Sequence, residues 1–301
     1  MRCMGRMQPL RGGTDMPIYA PTLPPAPDLS LGQPPVLVLM RFDLARLWRQ
    51  KIGRFFGFGF LALLLFKVGR IYVGHLLQTN AALRPMKDFA QSILTQGASF
   101  QADLLNPASY LLWFLVALVG GGLVARDTLY RVRPLIYAHP VSPRDYLLAK
   151  LGFAAGLPFL VLLPFVILPW LMSLLLAGLD GPVWVTAPLR LLPAMAISSA
   201  LMGALAVGAS SLAATPRAGV SWVLGSVLGA GALAGLLRGM TGIAAVDALN
   251  PILLAEAWPQ LLVGVERPLV AWLPALVGTA LHMALWITLA VRRTRPSEAI
   301  L

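Results

Sequence analysis

The sequence predicts an all-α, polytopic membrane protein: six transmembrane helices preceded by an N-terminal, cytoplasmic, interfacial amphipathic helix. Three observations carry this reading. Hydrophobic residues make up 58% of the chain and charged residues only 12%, for a mean hydropathy of +0.76. Six runs are long and apolar enough to cross a hydrocarbon core, which takes about 20 residues: 55–77, 108–125, 151–177, 187–214, 219–237 and 269–291. The cations gather in alternate connections between those runs. A buried helix of a large soluble protein is the other reading of any one run. Six runs in 301 residues that hold only twelve acidic residues leave little room for it. Barrel strands are shorter and alternate in polarity, so a helical bundle is the remaining spanning structure.

Residues 1–35 differ from the rest. Eight prolines, at positions 9, 17, 21, 24, 25, 27, 34 and 35, oppose a regular helix, so a disordered leader is expected ahead of a transmembrane domain over 36–301. No apolar segment followed by a small-residue cleavage site occurs there, and span one is expected to act as the insertion signal.

Residues 40–55, MRFDLARLWRQKIGRF, carry Leu44, Leu47, Trp48, Ile52 and Phe55 at helical spacing, with Arg46, Arg49 and Arg54 largely opposite. Such a helix lies in the headgroup plane, with Trp48 at the interface. The competing reading is the cytoplasmic end of a tilted first span. Span one contains Lys67 and Arg70, three apart and so on one helix face, in the outer part of the membrane. Either both snorkel to the outer headgroups, or they line a translocation path and meet an anionic group of a cargo. Span three contains Pro158, Pro164 and Pro169 and should kink or tilt. Spans four and five are rich in small residues. Gly225 with Gly229 and Gly231 with Gly235 are spaced for close helix approach, either between subunits or within one. Spans one, two and five are the expected dimer seam. Residues 238–268 are semi-apolar and broken at Asn250–Pro251 and Trp258–Pro259, which suits a re-entrant or interfacial hairpin on the outer side.

Fourteen cations lie in residues 40–54, between spans two and three, between spans four and five, and after span six, and Arg2, Arg6 and Arg11 of the leader make seventeen; five lie on the opposite side. By the positive-inside rule both termini face the cytoplasm, as expected of a multi-pass protein of a bacterial inner membrane. The net charge of +12 is therefore mostly topogenic, with anionic lipids rather than nucleic acid as its partner.

The connection between spans two and three, RVRPLIYAHPVSPRDYLLAK (131–150), holds more than charge. Ser142, Pro143 and Asp145 read as a helix start with a reciprocal cap. Pro140 pushes His139 to an extended conformation. Leu129, Tyr130, Leu135, Ile136 and Tyr137 add apolar surface that topology alone does not require, which suits a docking surface. With Arg126–Asp127 leaving span two, LIYAHPVS in the middle, and an arginine and DYLLAK entering span three, the stretch resembles the first cytoplasmic loop of ABC exporter permeases of the type-2 class. The six spans, the preceding amphipathic helix and the cytoplasmic termini resemble that class as well, over roughly residues 40–295.

The resemblance implies a dimeric permease. Its partners would be a second copy or a related permease, and a pair of cytoplasmic ATPase subunits that hold the ATP and Mg; no cofactor is expected on this chain. Docking would use this loop, through Leu135, Ile136, Tyr137, His139, Arg144 and Asp145, and the amphipathic helix, whose interfacial face is Leu44, Leu47, Trp48 and Ile52.

No GxxxxGK[ST] loop is present, so ATP hydrolysis is expected on a separate chain. HExxH and GxSxG are absent too. One cysteine, Cys3, allows no internal disulfide. His75, His139 and His282 are far apart, and no metal site is expected. Asp247 and Glu256 are expected to be solvated in the outer hairpin. Ser198, Ser199, Ser210 and Ser211 are expected to bond neighbouring backbone or helices rather than to act as nucleophiles. A six-span secondary transporter or channel, a membrane-embedded enzyme and an assembly anchor remain the alternative functions.

Overall fold

In the computed structural model, residues 34–80, 102–103, 105–137, 141–177 and 185–294 are described. Every regular element among them is helical. The leader expected over 1–35 lies outside them up to residue 33. The elements are α1 (Pro35–Arg49), α2 (Lys51–Thr79), α3 (Asn106–Gly120), α4 (Leu123–Leu129), α5 (Val132–Tyr137), α6 (Pro143–Ala177), α7 (Ala187–Leu212), α8 (Pro216–Thr241), a 3₁₀ turn (Ala244–Leu249), α9 (Pro251–Val263) and α10 (Trp272–Thr294). Six helical stretches are long and apolar enough to span a membrane: Lys51–Leu77, Ala108–Leu129, Pro143–Leu176, Ala187–Leu212, Pro216–Thr241 and Trp272–Thr294. The chain is therefore a multi-pass helical membrane protein.

Helix α7 is the axis of the bundle. It packs against α6, α10, α9, α8, α3 and α4, and every residue over 201–211 is buried. A helix apolar on all sides can sit in the middle of a bundle, and its glycines let neighbours come close. A Cβ on Gly203 would lie 2.6 Å from the Ala155 backbone nitrogen of α6, and one on Gly208 would lie 2.7 Å from the Trp286 carbonyl of α10. The closest crossing is between spans two and five. There a Cβ on Gly121 would stand 2.6 Å from the Val220 nitrogen, and one on Gly219 would collide with the Gly121 carbonyl. The glycines singled out by spacing behave otherwise. Among the described residues nothing lies within 4 Å of a Cβ built on Gly225, Gly229 or Gly235, and one on Gly231 would meet the Asn250 side chain. Spacing four apart identifies a smooth helix face; it does not say which helix, if any, covers it. Of the three spans expected at a dimer seam, span two is mostly inside the chain whereas spans one and five are largely exposed.

The amphipathic segment also differs from its expected bounds. The helix starts at Pro35, the first helical position that proline favours, and stops at Arg49 rather than running to 55. Gln50 is extended at the corner. The turn beyond it is tight enough that a Cβ on Gly53 would lie 2.6 Å from the Leu47 carbonyl, so glycine permits the corner. The protein-facing side of α1 is Asp43 and Leu47, while Trp48 is 75% exposed and Leu44 and Ile52 are exposed with it.

Helix α6 runs unbroken through its three prolines, held to α2 by an edge-to-face contact of Phe60 with Phe165 at 6.3 Å.

The segment between spans five and six is re-entrant. Helix α8 ends on Gly242, whose left-handed backbone (φ 69°) reverses the chain. The 3₁₀ turn then returns along α8: Asp247 pairs with Arg238, and Asn250 reaches Gly231. Ten residues of α8 separate Gly231 from Thr241, a descent of about 15 Å at 1.5 Å per residue. Asn250 caps α9 by accepting from the Ile252 N–H at 3.0 Å, and Pro251 takes the first helical position. Helix α9 climbs back along α7: Ser198 donates to the Ala255 carbonyl at 2.8 Å, and Arg190 donates to the Val263 carbonyl at 3.2 Å. Span six closes over the hairpin through Trp258 donating to Thr279 at 3.0 Å and His282 against the Leu249 carbonyl at 3.0 Å. Non-helical backbone at this depth is tolerable because protein surrounds it.

Candidate functional site

The chemistry-bearing side chains nearest the 131–150 connection converge on a buried charge cluster beneath it. Lys150, in the third turn of α6, donates to Asp43 Oδ2 at 2.9 Å and lies 3.0 Å from Asp127 Oδ2. Tyr146, one turn earlier on the same face, donates to Asp127 Oδ2 at 2.8 Å and is covered completely. The Lys150 ammonium stands 5.5 Å from the Tyr146 ring centre. Lys150 and Asp43 are 5% and 7% exposed. Arg126 and Arg46 lie close enough to influence the same group. Burial pushes the Asp43 carboxyl above its ordinary range, while Lys150 pulls it back down.

Each member is placed by local rules. Tyr146 and Lys150 are four apart on one helix and share a face. The start of that helix is fixed by the capping box expected from the sequence. Ser142 donates from its N–H and Oγ to Asp145 Oδ2 at 3.1 and 2.7 Å, and Asp145 N–H donates back to Ser142 Oγ at 3.1 Å. Asp145 is thus held in the cap. Asp127 comes from α4, which is offset from α3 by a break at Gly121–Gly122. Ser210 of α7 mends that break. Its Oγ accepts from Val124 and Ala125 N–H at 3.0 and 3.1 Å and donates to the Gly121 carbonyl at 2.7 Å. These are backbone groups that an unbroken helix would have paired itself. A crevice between α1 and the break is lined by Asp43, Arg46, Gly122, Arg126 and Phe153.

The connection itself turns sharply. Arg131 has φ 52° between α4 and α5, a left-handed conformation usually left to glycine. Arg133 then donates to the Arg293 carbonyl at 3.2 Å, joining the connection to the end of span six.

The residues expected to dock a partner are dispersed over this region. Ile136 is half-buried on α5 and Arg144 is exposed at the start of α6. The side chains of Leu135 and Tyr137, and His139 altogether, lie outside the described residues. Leu44, Trp48 and Ile52 stay exposed on and beside α1, and Leu47 packs inward. Asp43, Lys150, Asp127 and Tyr146 form the cluster, yet none was singled out as a site residue. The available signal was a lone aspartate among the arginines of an amphipathic helix and a lysine at the very entry to span three.

Lys67 does not extend to the surface of the bundle. It is buried, and its ammonium donates to the Asp103 carbonyl just before span two. Arg70 is half-buried one turn further along. Asp247 and Glu256, expected in solvent, are 2% and 4% exposed. The segment between spans five and six folds back into the bundle instead of projecting from it, and both carboxyls go with it. Ser198 and Ser210 bond neighbouring backbone as expected, and Ser211 bonds the Gly208 carbonyl at 2.6 Å. No three His, Cys, Asp or Glu side chains gather into a metal-holding group among the described residues.

Fold and cluster together define a six-span helical membrane protein with an ion-paired junction at one end of its bundle. No protein-family model matches the chain, and no curated protein matches it.

Proposed function

We propose that the chain is the membrane subunit of an ATP-driven exporter of the ABC type, paired with a second permease copy and with a separate ATPase. The similarity of 126–150 to the coupling loop of type-2 permeases supports this reading. The observation that carries it is the junction beneath that loop. Lys150 binds the amphipathic helix through Asp43 and the end of span two through Asp127, and Arg133 adds the end of span six. A push on the loop would reach four elements at once instead of bending one. That is the mechanical property a coupler needs, because packed elements move as units. The open glycine face of α8 offers a surface for a second copy.

In this reading the amphipathic helix, the loop and both termini face the cytoplasm of a bacterium. Ile136, half-buried, and Arg144, exposed, sit where an ATPase would bear on the loop.

The test is purification of the chain from native membranes under mild detergent. An ATP-binding-cassette protein is expected to accompany the wild type and to be lost, or to hydrolyse ATP without transport, in Ile136→Asp and Arg144→Glu. Copurification and transport unchanged in both variants would overturn the docking role. Transport by the purified chain without any nucleotide would overturn the exporter reading in favour of a secondary carrier or channel.

A further inference from the structure

The re-entrant hairpin carries a carboxyl group for which the coupling cluster has no use. Glu256 sits on α9 one turn above its floor and is 4% exposed. Its immediate neighbour Ala255 is fixed to Ser198 of α7, 11 residues or about 16 Å along α7 from its first residue. The carboxyl is therefore at membrane depth. Its Oε1 is fully covered and has no hydrogen-bond partner among the described residues. A bare carboxylate in such a place carries a solvation cost of several kcal/mol, which a cation or a proton must remove.

The cations nearby are committed. Arg238 of α8 pairs with Asp247 of the 3₁₀ turn, Arg190 of α7 holds the Val263 carbonyl, and His282 of α10 meets the Leu249 carbonyl. From α3 comes Tyr110, whose hydroxyl adjoins Glu256. Tyr110 is half-exposed at the surface of the bundle, so it links a buried acid to the outside. Single-carboxyl geometry does not suit a metal, and no metal-holding group exists among the described residues. A neutral acid beside a hydroxyl suits a proton.

We propose that Glu256 is an exchangeable proton-binding site at the base of the re-entrant hairpin, filled and emptied past Tyr110. Glutamine would occupy the same volume without the ionisable group, and α9 is otherwise apolar enough to pack without either. The inference does not depend on the exporter reading, and its test reads the carboxyl itself.

Dicyclohexylcarbodiimide, which partitions into membranes, adds to protonated carboxyls. The acid proton moves to a reagent nitrogen, the carboxylate oxygen bonds the central carbon, and an O-to-N acyl shift leaves a stable N-acylurea with no leaving group. The purified chain in phospholipid vesicles is treated across a range of pH and mapped by peptide mass. Glu256 is expected to carry the adduct, with a rate that rises several-fold from alkaline to mildly acidic pH. Glu256→Gln, eluting like wild type on gel filtration, is expected to lose that adduct, and Tyr110→Phe to slow it several-fold. Labelling of Glu256 only after unfolding in dodecyl sulfate would make the group a sealed structural acid and overturn the proposal. A rate independent of pH would do the same. An undiminished rate in Tyr110→Phe would overturn the route.

Discussion

Lys150 and Asp43, 107 residues apart in sequence, meet at 2.9 Å in the buried end of the bundle. Their contact fixes α1 to span three. Asp127, sharing the same ammonium at 3.0 Å, adds span two. Two carboxylates on one lysine with little solvent access leave each group dependent on the others.

Lys150→Met strands the buried Asp43 carboxylate and the part-buried Asp127 carboxylate, and is expected to cost about 3–5 kcal/mol. The triple variant Asp43→Asn, Asp127→Asn, Lys150→Met removes all three charges and is expected to regain most of it. Thermal unfolding in detergent compares them. Equal losses in the single and triple variants would show that packing, not charge, holds the junction.

Ser210→Ala is expected to leave the Val124 and Ala125 N–H groups and the Gly121 carbonyl short of partners at the break in span two. The cost is about 1–3 kcal/mol. Amide exchange at Val124 and Ala125 should quicken ahead of their neighbours, which separates this local effect from general loosening.

Gly219→Ala and Gly225→Ala lie on the same helix and should diverge. The first forces a methyl against the Gly121 backbone and is expected to prevent stable folding, seen as loss of monodisperse protein on gel filtration. The second meets open space and should leave the fold intact. Weakened self-association in Gly225→Ala would place a second copy on that face.

Arg131→Gly relieves the left-handed backbone between α4 and α5 and is expected to raise stability by about 1 kcal/mol. Under the proposed function the same variant lets the connection flex, so coupling of hydrolysis to transport should fall while the melting temperature rises. A fall in both would indicate that the Arg131 side chain has a structural role of its own.

Lys67→Met removes the donor that holds the Asp103 carbonyl. Faster amide exchange over 102–105, with span one unchanged, is the expected result. Unchanged exchange would mean the bond contributes nothing to anchoring that segment.

The fold class was legible in the sequence because a bilayer leaves a chain few options. Some 20 apolar residues in a row with no partner for their backbone except themselves must be a helix, and local rules marked Ser142–Asp145 as a helix start and Asn250–Pro251 as a break. Contacts between helices were not legible. In a span apolar on every side, periodicity does not say which face meets protein, so Gly121 and Gly219 carried no mark that set them apart from Gly225 and Gly229. Polar residues misled for the same reason. Asp247 and Glu256 looked solvated because their segment is broken and semi-apolar, and only its descent between α7, α8 and α10 buried them. Lys150 looked like one more topogenic charge. Its role follows from a contact made 107 residues away, a relation that no local pattern encodes. Composition and backbone hydrogen bonding set the six helices, and the packing of those helices decided which charges became a junction.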